Sequence, residues 1–416
     1  MIVLVECFLL VLVYLEYRIN KTAITPVVIL GGIYLMFIPM VNTIGVALGF
    51  RPLTDFCMAM FALFVFIVFL SGLLVGTFFG KNRNSVTYSI EERIVLKRDF
   101  IWLIFCIALV AYIISFVQVV GVYGINNTKS RAYGIFAHIG FISRCLLPVI
   151  VYYFVKFRKP KYIVGATINI LVLIMFQGKY HLFIAIAATV AMFLVVYKQI
   201  KIGTIIKVVI IVFIIGMLLF ASVYTIIPNI LNGDTSFESM SVGLKFSFEH
   251  FFHYLFCPFI SSNEYFEHPL YAGMENGLRT LLNPLDRLWQ LVSGGGDYFD
   301  PVITLWPIIN ESGATGNVGG IFSESVLNVG YPIAIIYVFL IGIVSYYFIM
   351  QTLKKGKRIV TSLTLIGTIM MCFFCNYFTL LPNFECFVYS YLIDVLIIDN
   401  RLKFGGKVLI KEHRAR

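Results

Sequence analysis

The sequence predicts an all-α fold: a polytopic helical membrane protein with about 11 transmembrane helices and a large extracytoplasmic loop that carries amphipathic helices. Only 13% of the 416 residues are charged and 60% are hydrophobic, whereas soluble domains carry roughly 25% charged residues. Apolar runs of about 18 residues or more recur along the chain, as transmembrane helices require. Segments of about ten residues with alternating polarity, which would indicate a membrane β-barrel, do not occur.

The apolar runs define the predicted spans. They lie at residues 2–17, 26–48, 56–79, 100–120, 138–155, 162–177, 180–197, 208–227, 327–350, 359–377 and 381–398. The chain therefore divides into spans 1–8 over residues 1–227, an extracytoplasmic loop over 228–326, spans 9–11 over 327–398 and a basic cytoplasmic tail over 399–416. The N-terminal MIVLVECFLL contains an acid and no basic region, so we interpret it as a span and not as a cleaved signal. Gly72, Gly76 and Gly80 in the third span predict close helix packing.

Basic residues predict the orientation of the spans. Alternate connectors and the C-terminal tail together contain 24 of the 32 Lys and Arg residues, and the positive-inside rule places that side in the cytoplasm. The N-terminus and the long loop then lie outside, and the C-terminus lies inside. Because the bases are spread over many short connectors, the net charge of +11 does not indicate nucleic-acid binding.

The loop differs in composition from the rest of the chain. Residues 228–324 contain 11 of the 21 acidic residues but only three of the 32 bases. Apolar residues recur at helical spacing over 244–259 and over 278–292, which predicts two amphipathic patterns along the outer membrane face. Asn283 and Pro284 suit the N-cap and first position of a helix there. A loop of this length is typical of a functional segment.

An outward-facing site excludes many enzyme classes. No ATP or nucleotide-sugar pool exists outside the cell, so a substrate used there must arrive already activated. The Gly-Lys pair at 178–179 has no glycine-rich run before it and is not a Walker loop. The eight cysteines lie mostly in apolar runs, as small buried side chains do. We expect no metal site, because His250 and His253 have no matched third ligand.

Arg144 is the most informative candidate residue. It lies about six residues, or ~9 Å, inside the outer end of the predicted fifth span. An arginine at such a depth costs several kcal/mol unless it faces a wet or anionic cavity, which favours a functional role. The alternative is an arginine that snorkels to the interface or pairs with an acid such as Glu385.

Four other bases are candidates for binding phosphate. Lys179, next to His181, occupies a tight turn between the sixth and seventh spans, and Arg131 lies in the loop before the fifth span. Arg279 and Arg287 are the two arginines of the acidic loop, and a planar guanidinium suits phosphate. For each of them the alternative is a solvated charge or a local ion pair.

Three loop residues are candidates for a general base. His253 and His250 carry imidazoles, which titrate near physiological pH, and Glu249 carries a carboxylate. The pattern does not choose among them, and for each the alternative is an ordinary solvated or packed side chain.

The chain resembles the Wzy-type polymerases of O-antigen and capsular oligosaccharide repeat units. Three features carry the resemblance: the layout of many spans with one large loop in the C-terminal half, the stretch TGNVGGIFSESVLNVGYPIAIIYVFLIGIV at 315–344, and the turn QGKYH at 177–181. Relatives often have an arginine where this chain has Lys179. This difference keeps the positive charge but not the bidentate fork.

The resemblance implies a membrane glycosyltransferase of the GT-C type in the bacterial plasma (inner) membrane. It would polymerise undecaprenyl-diphosphate-linked oligosaccharides on the extracytoplasmic face, with no cofactor and no metal. Its partners would be the lipid-linked oligosaccharide, membrane lipid and a chain-length regulator, and not nucleic acid. Diphosphate would be bound by Arg144, Arg131, Lys179, Arg279 and Arg287. His181 is a further candidate, and the acceptor would be deprotonated by His253, His250 or Glu249.

Three alternatives remain open at this point. An O-antigen ligase shares the layout but uses lipid A as acceptor. A flippase or transporter of lipid-linked sugars should show more polar residues at mid-membrane, often in repeated halves, and this chain shows few. A non-catalytic assembly protein would not need the basic outer residues.

Overall fold

Helices account for the regular structure of this chain. The computed structural model describes residues 1–80, 90–124, 134–176, 179–197, 236–293 and 305–399, together with isolated positions between 128 and 233. In that part of the chain no named strand forms, and the extended pairings are two isolated bridges, Phe50 with Asn310 and Ile308 with Thr315. The predicted all-α class is confirmed.

The described helices follow the predicted spans closely. They are α1 (Ile2–Asn20), α2 (Pro26–Met40, continued by a π-helix at Val41–Gly45), α3 (Asp55–Gly80), α4 (Ile90–Leu96), α5 (Arg98–Tyr123), α6 (Ile135–Phe157), α7 (Pro160–Met175), α8 (Lys179–Val196), α9 (Phe237–Glu267), α10 (Met274–Leu281), α11 (Asn283–Ser293), α12 (Gly320–Lys355), α13 (Ile359–Met371) and α14 (Leu381–Ile393, continued by a π-helix at Asp394–Ile398). Among them, α2, α3, α5, α6, α12 and α14 are long and apolar enough to cross a membrane. The helices α7, α8 and α13 are apolar but shorter. This is the composition of a multi-pass membrane protein. The predicted span 208–227 lies almost wholly outside the described residues.

Helix α12 begins inside the predicted loop and is broken in two. Gly330 has φ 70° and ψ 172°, which are not helical angles, and Pro332 comes two residues later. A residue without a Cβ adopts this positive φ without strain. The part before Gly330 is buried among other helices, and the part after it corresponds to the span predicted from residue 327.

Helix α13 ends earlier than the predicted span 359–377. It ends at Met371. The backbone N–H of Ile321 donates a hydrogen bond to the Cys372 carbonyl at 2.7 Å, which packs the start of α12 against the end of α13. A Cβ on Gly320 would lie 2.6 Å from the Phe373 carbonyl oxygen, so only glycine allows this approach. The chain then runs through a short 3-10 helix, Tyr377–Thr379, before α14 begins.

Ion pairs tie several basic connectors together at one end of the assembly. Arg93 and Arg358 both pair with Asp399, at 3.4 and 3.1 Å, and Lys156 pairs with Glu91. These contacts join α4 to the ends of α6, α13 and α14. The connectors that share a side in the sequence prediction therefore meet in space.

Three helices form in the predicted loop. The pattern over 244–259 lies within α9, where Phe256 and Phe259 are buried while Leu244 and Phe248 are exposed. The pattern over 278–292 is divided between α10 and α11, and α11 begins at Asn283–Pro284 as expected. The Asn283 amide does not follow the expected capping role. It donates to the Thr379 carbonyl at 3.0 Å and so docks α11 on the segment before α14.

Candidate functional site

Arg144 lies on α6, about 13 Å along the helix from its first residue, and its residue is only 4% exposed. One terminal nitrogen contacts Nδ1 of His181, and the other donates to the side-chain oxygen of Asn383 at 2.8 Å and to the Pro382 carbonyl at 3.3 Å. Its guanidinium carbon also lies 5.6 Å from the centre of the Phe141 ring. The arginine therefore joins three helices, α6, α8 and α14.

The partners of Arg144 are neutral. Within the described part of the chain none of its contacts is an aspartate or a glutamate. Glu385, the acid weighed as a partner from the sequence, instead pairs with His138 at 2.8 Å. Burial of a cation without a counter-ion is costly, so such a site favours the entry of an anion.

The first turn of α8 brings His181 to this site. Its imidazole is 7% exposed and stacks near Tyr180, whose ring centre lies 3.9 Å away. Tyr180 in turn stacks on Tyr377 at 5.2 Å. The start of α8 therefore packs, through Tyr180, on the segment between α13 and α14. Lys179 is the first residue of α8, two positions before His181, and its side chain lies outside what the structure describes.

Glu324 is a buried carboxylate that the sequence patterns did not single out as a candidate. It accepts hydrogen bonds from the backbone N–H groups of Gly319 at 3.1 Å and Asn376 at 2.7 Å, and from the thiol of Cys375 at 3.6 Å. It thereby fixes the irregular segment before α14, in which the Tyr377 carbonyl holds the side chain of Asn383. A single acid four residues after Gly320 was all that the sequence offered here, and it forms no pattern that marks a site.

The two loop arginines lie on α10 and α11. Arg279 pairs with Asp286 at 3.3 Å, seven residues away, which is a local ion pair of the kind considered as the alternative from the sequence. Arg287 donates to the side-chain oxygen of Asn283 at 3.1 Å. Asn283 contacts the Thr379 carbonyl, so Arg287 reaches the α13–α14 segment through one intervening side chain. Arg131 lies outside the described residues.

The predicted base candidates lie on α9. His253 is partly buried beside Phe50 and His250, with ring centres 6.4 and 6.0 Å away. Burial lowers the pKa of its imidazole, and the backbone of Thr315 opposes this shift. Glu249 is exposed on the same helix. None of the described contacts of His253 is with Arg144 or His181.

The structure therefore brings Arg144 and His181 together, connects Arg287 through Asn283 to the segment between α13 and α14, and shows no contact of His253 with either Arg144 or His181. No group of three or more potential metal ligands forms among the described residues. Comparison with known proteins adds no relative: no family model matches the chain, and no similar curated protein or solved structure was found.

Proposed function

We propose that this chain polymerises oligosaccharide repeat units carried on undecaprenyl diphosphate, at the outer face of a bacterial plasma membrane. The observation that carries the proposal is Arg144: a buried arginine in an apolar helix, held by neutral groups on α8 and α14. A guanidinium in this setting suits an anion that approaches from the membrane, and a lipid diphosphate is such an anion.

The site suits an anionic diphosphate leaving group better than a counter-ion supplied by the protein itself. The undescribed segments nearest to it in sequence, 125–133 and 177–178, contain no aspartate or glutamate but do contain Lys129 and Arg131. Lys179 adds a further positive charge at the start of α8. Several cations around one anionic group stabilise the charge that develops as the glycosyl–phosphate bond breaks.

The reaction uses these groups without a nucleotide. The growing glycan leaves its lipid diphosphate, and the anomeric carbon bonds to a hydroxyl at the non-reducing end of the next repeat unit. Arg144 binds the departing diphosphate, and a base takes the hydroxyl proton. His253, His250 and Glu249 are the base candidates that the loop composition supplies.

The orientation of the chain belongs to the same proposal. With eleven spans, the connectors that meet at the end formed by Lys156, Arg358 and Asp399 are cytoplasmic, and the Arg144 end is extracytoplasmic. A reporter fused at Gly295 tests this directly. Activity of an exported reporter supports the orientation, and activity of a cytoplasmic reporter contradicts it.

A deletion strain tests the function. The expected result is loss of the surface-glycan ladder and display of single repeat units, restored by the wild-type chain and not by Arg144→Ala at equal membrane abundance. Accumulation of full-length polymer on undecaprenyl diphosphate would indicate a ligase instead. An unchanged ladder would contradict both assignments.

A further inference from the structure

His138 and Glu385 form a histidine–carboxylate pair beside the arginine site. His138 Nδ1 lies 2.8 Å from Glu385 Oε2, a hydrogen-bonding distance, and joins α6 to α14. The His138 side chain is 47% exposed and that of Glu385 is 15% exposed. The carboxylate is therefore largely shielded, while the imidazole remains open to a ligand.

Phe141 lies between this pair and Arg144. Its ring centre is 6.4 Å from the centre of the His138 ring and 5.6 Å from the Arg144 guanidinium carbon, so the two groups are no more than about 12 Å apart. At three-residue steps along α6, His138 and Phe141 share one helix face and Phe141 and Arg144 share the next, so Phe141 adjoins both groups. This gap leaves room for a diphosphate on Arg144, its anomeric carbon and an acceptor hydroxyl between the two groups.

The interface that holds the pair is tightly packed. The Cys145 thiol donates to the Cys386 carbonyl at 3.3 Å, and the Cys386 thiol contacts the Phe141 carbonyl at 3.9 Å. Both cysteines are buried. Because α6 and α14 are fixed against each other here, His138 and Glu385 keep their relation to the arginine.

Three of the other outer histidines, His181, His253 and His268, are less suited to accept a proton. His181 contacts the Arg144 guanidinium through Nδ1, and a second positive charge at that position would be repelled. His253 is partly buried among aromatic rings and has no carboxylate among its described contacts. His268 pairs with Glu264, but at 3.6 Å on one exposed surface of α9.

We propose that His138 is the general base of the polymerisation reaction and that Glu385 positions it. The inference rests on the proposed function. An ionised Glu385 accepts the Nδ1 proton of His138, which fixes the tautomer and leaves the Nε2 lone pair free. Nε2 then takes the proton of the acceptor hydroxyl while its oxygen bonds to the anomeric carbon. The bond from that carbon to the phosphate oxygen breaks, and the electron pair leaves with undecaprenyl diphosphate, held by Arg144. The proton passes from the exposed imidazole to water.

The test uses the full chain in lipid nanodiscs with a lipid-diphosphate-linked repeat unit, and it measures chain elongation and donor binding separately. His138→Gln is expected to lower elongation by about 100-fold or more, as loss of a general base does, while donor binding stays at the wild-type level. Added imidazole is expected to restore part of the elongation by His138→Ala. His268→Gln, which removes the other carboxylate-paired histidine, is expected to elongate like the wild type.

Glu385 supplies a second arm of the test. Glu385→Gln is expected to lower kcat with KM unchanged, and Glu385→Asp to restore part of it, because the carboxylate acts on His138 and not on the substrate. This arm decides the question if His138→Gln does not fold. Wild-type elongation by a folded His138→Gln, or by Glu385→Gln, would overturn the assignment and leave the polymerase proposal standing. An inactive wild-type chain would overturn both.

Discussion

Arg144 on α6 donates a 2.8 Å hydrogen bond to the side-chain oxygen of Asn383 on α14, and both residues are buried. The amide nitrogen of Asn383 donates in turn to the Tyr377 carbonyl at 3.0 Å, which orients the oxygen towards the arginine. The interaction satisfies the guanidinium as a donor but does not neutralise it. The positive charge is thus held in place with no carboxylate among its described contacts.

Replacement of Asn383 by aspartate is expected to separate stability from function. Asn383→Asp places a carboxylate on Arg144, so the site should lose its free charge. The folded protein gains this ion pair but loses the hydrogen bond from Nδ2 to the Tyr377 carbonyl, so its stability should change little. An internal ion pair worth about 1.4 kcal/mol would weaken donor binding about tenfold. Thermal denaturation and binding of the lipid-diphosphate donor measure the two effects. Unchanged donor binding by Asn383→Asp would contradict the assignment of Arg144 as the anion site.

Glu324→Gln is expected to lower the free energy of unfolding by about 1–3 kcal/mol. Glu324 accepts hydrogen bonds from two backbone N–H groups, and in the variant one of these groups would face the side-chain NH2, which is itself a donor. The bonds concerned come from Gly319 and Asn376. Activity should fall as well, since the Tyr377 carbonyl of the same segment holds the side chain of Asn383. Glu264→Gln is the matched control, because that side chain is 38% exposed on α9. Equal melting temperatures for the two variants would rule out the bracing role of Glu324.

The sequence predicted the apolar helices well because each one is an apolar run with polar ends, whereas the short α4 was not predicted. The periodicity of apolar residues carried less information about α12 and α13. Contacts between distant parts of the chain set these boundaries: Gly320 approaches Phe373, and Gly330 breaks the helix with a positive φ. A count of apolar residues does not report such contacts.

The site was predictable only in part. The cost of placing a charged side chain inside a membrane span pointed to Arg144, and the predicted outer turn pointed to His181. Asn383, Glu324 and His138 gave no pattern, because each acquires its role from a partner on another helix. The three loop candidates on α9 were chosen for their residue types, and no described contact joins His253 to Arg144.

Two glycines on α3 form a matched pair for a packing test. A Cβ on Gly72 would lie 2.6 Å from the Tyr346 ring, whereas a Cβ on Gly76 would meet nothing within 4 Å. Tyr346 is fully buried and donates to Glu16 at 2.8 Å. Gly72→Ala should therefore cost about 1–3 kcal/mol through overpacking. Gly76→Ala should be neutral or stabilise by up to about 1 kcal/mol. Melting temperatures in one detergent compare them, and equal destabilisation would contradict the predicted contact.

The stability of the protein should depend on pH through His253. Burial holds the pKa of this imidazole below its usual value, so the unfolded chain binds a proton at a higher pH than the folded chain does. The contribution of His253 to the free energy of unfolding is then fully present above about pH 6.5, and it is lost as the pH falls towards the lowered pKa. From pH 7.5 to 5.5 the wild-type melting temperature should fall further than that of His253→Gln. His268→Gln, which removes an exposed histidine, controls for the general effect of losing an imidazole. An equal fall in wild type and His253→Gln would show that this residue titrates alike in both states.

The central claim is that Arg144 binds the diphosphate of an activated glycan, and elongation by the purified chain tests it most directly. Wild-type protein in nanodiscs, given a synthetic undecaprenyl-diphosphate repeat unit and no nucleotide, should produce a ladder of longer glycans. Arg144→Ala should give no ladder at equal folded concentration, while Arg18→Ala, which removes an exposed arginine of α1, should give the wild-type ladder. A full ladder from Arg144→Ala, or none from the wild type, would contradict the account.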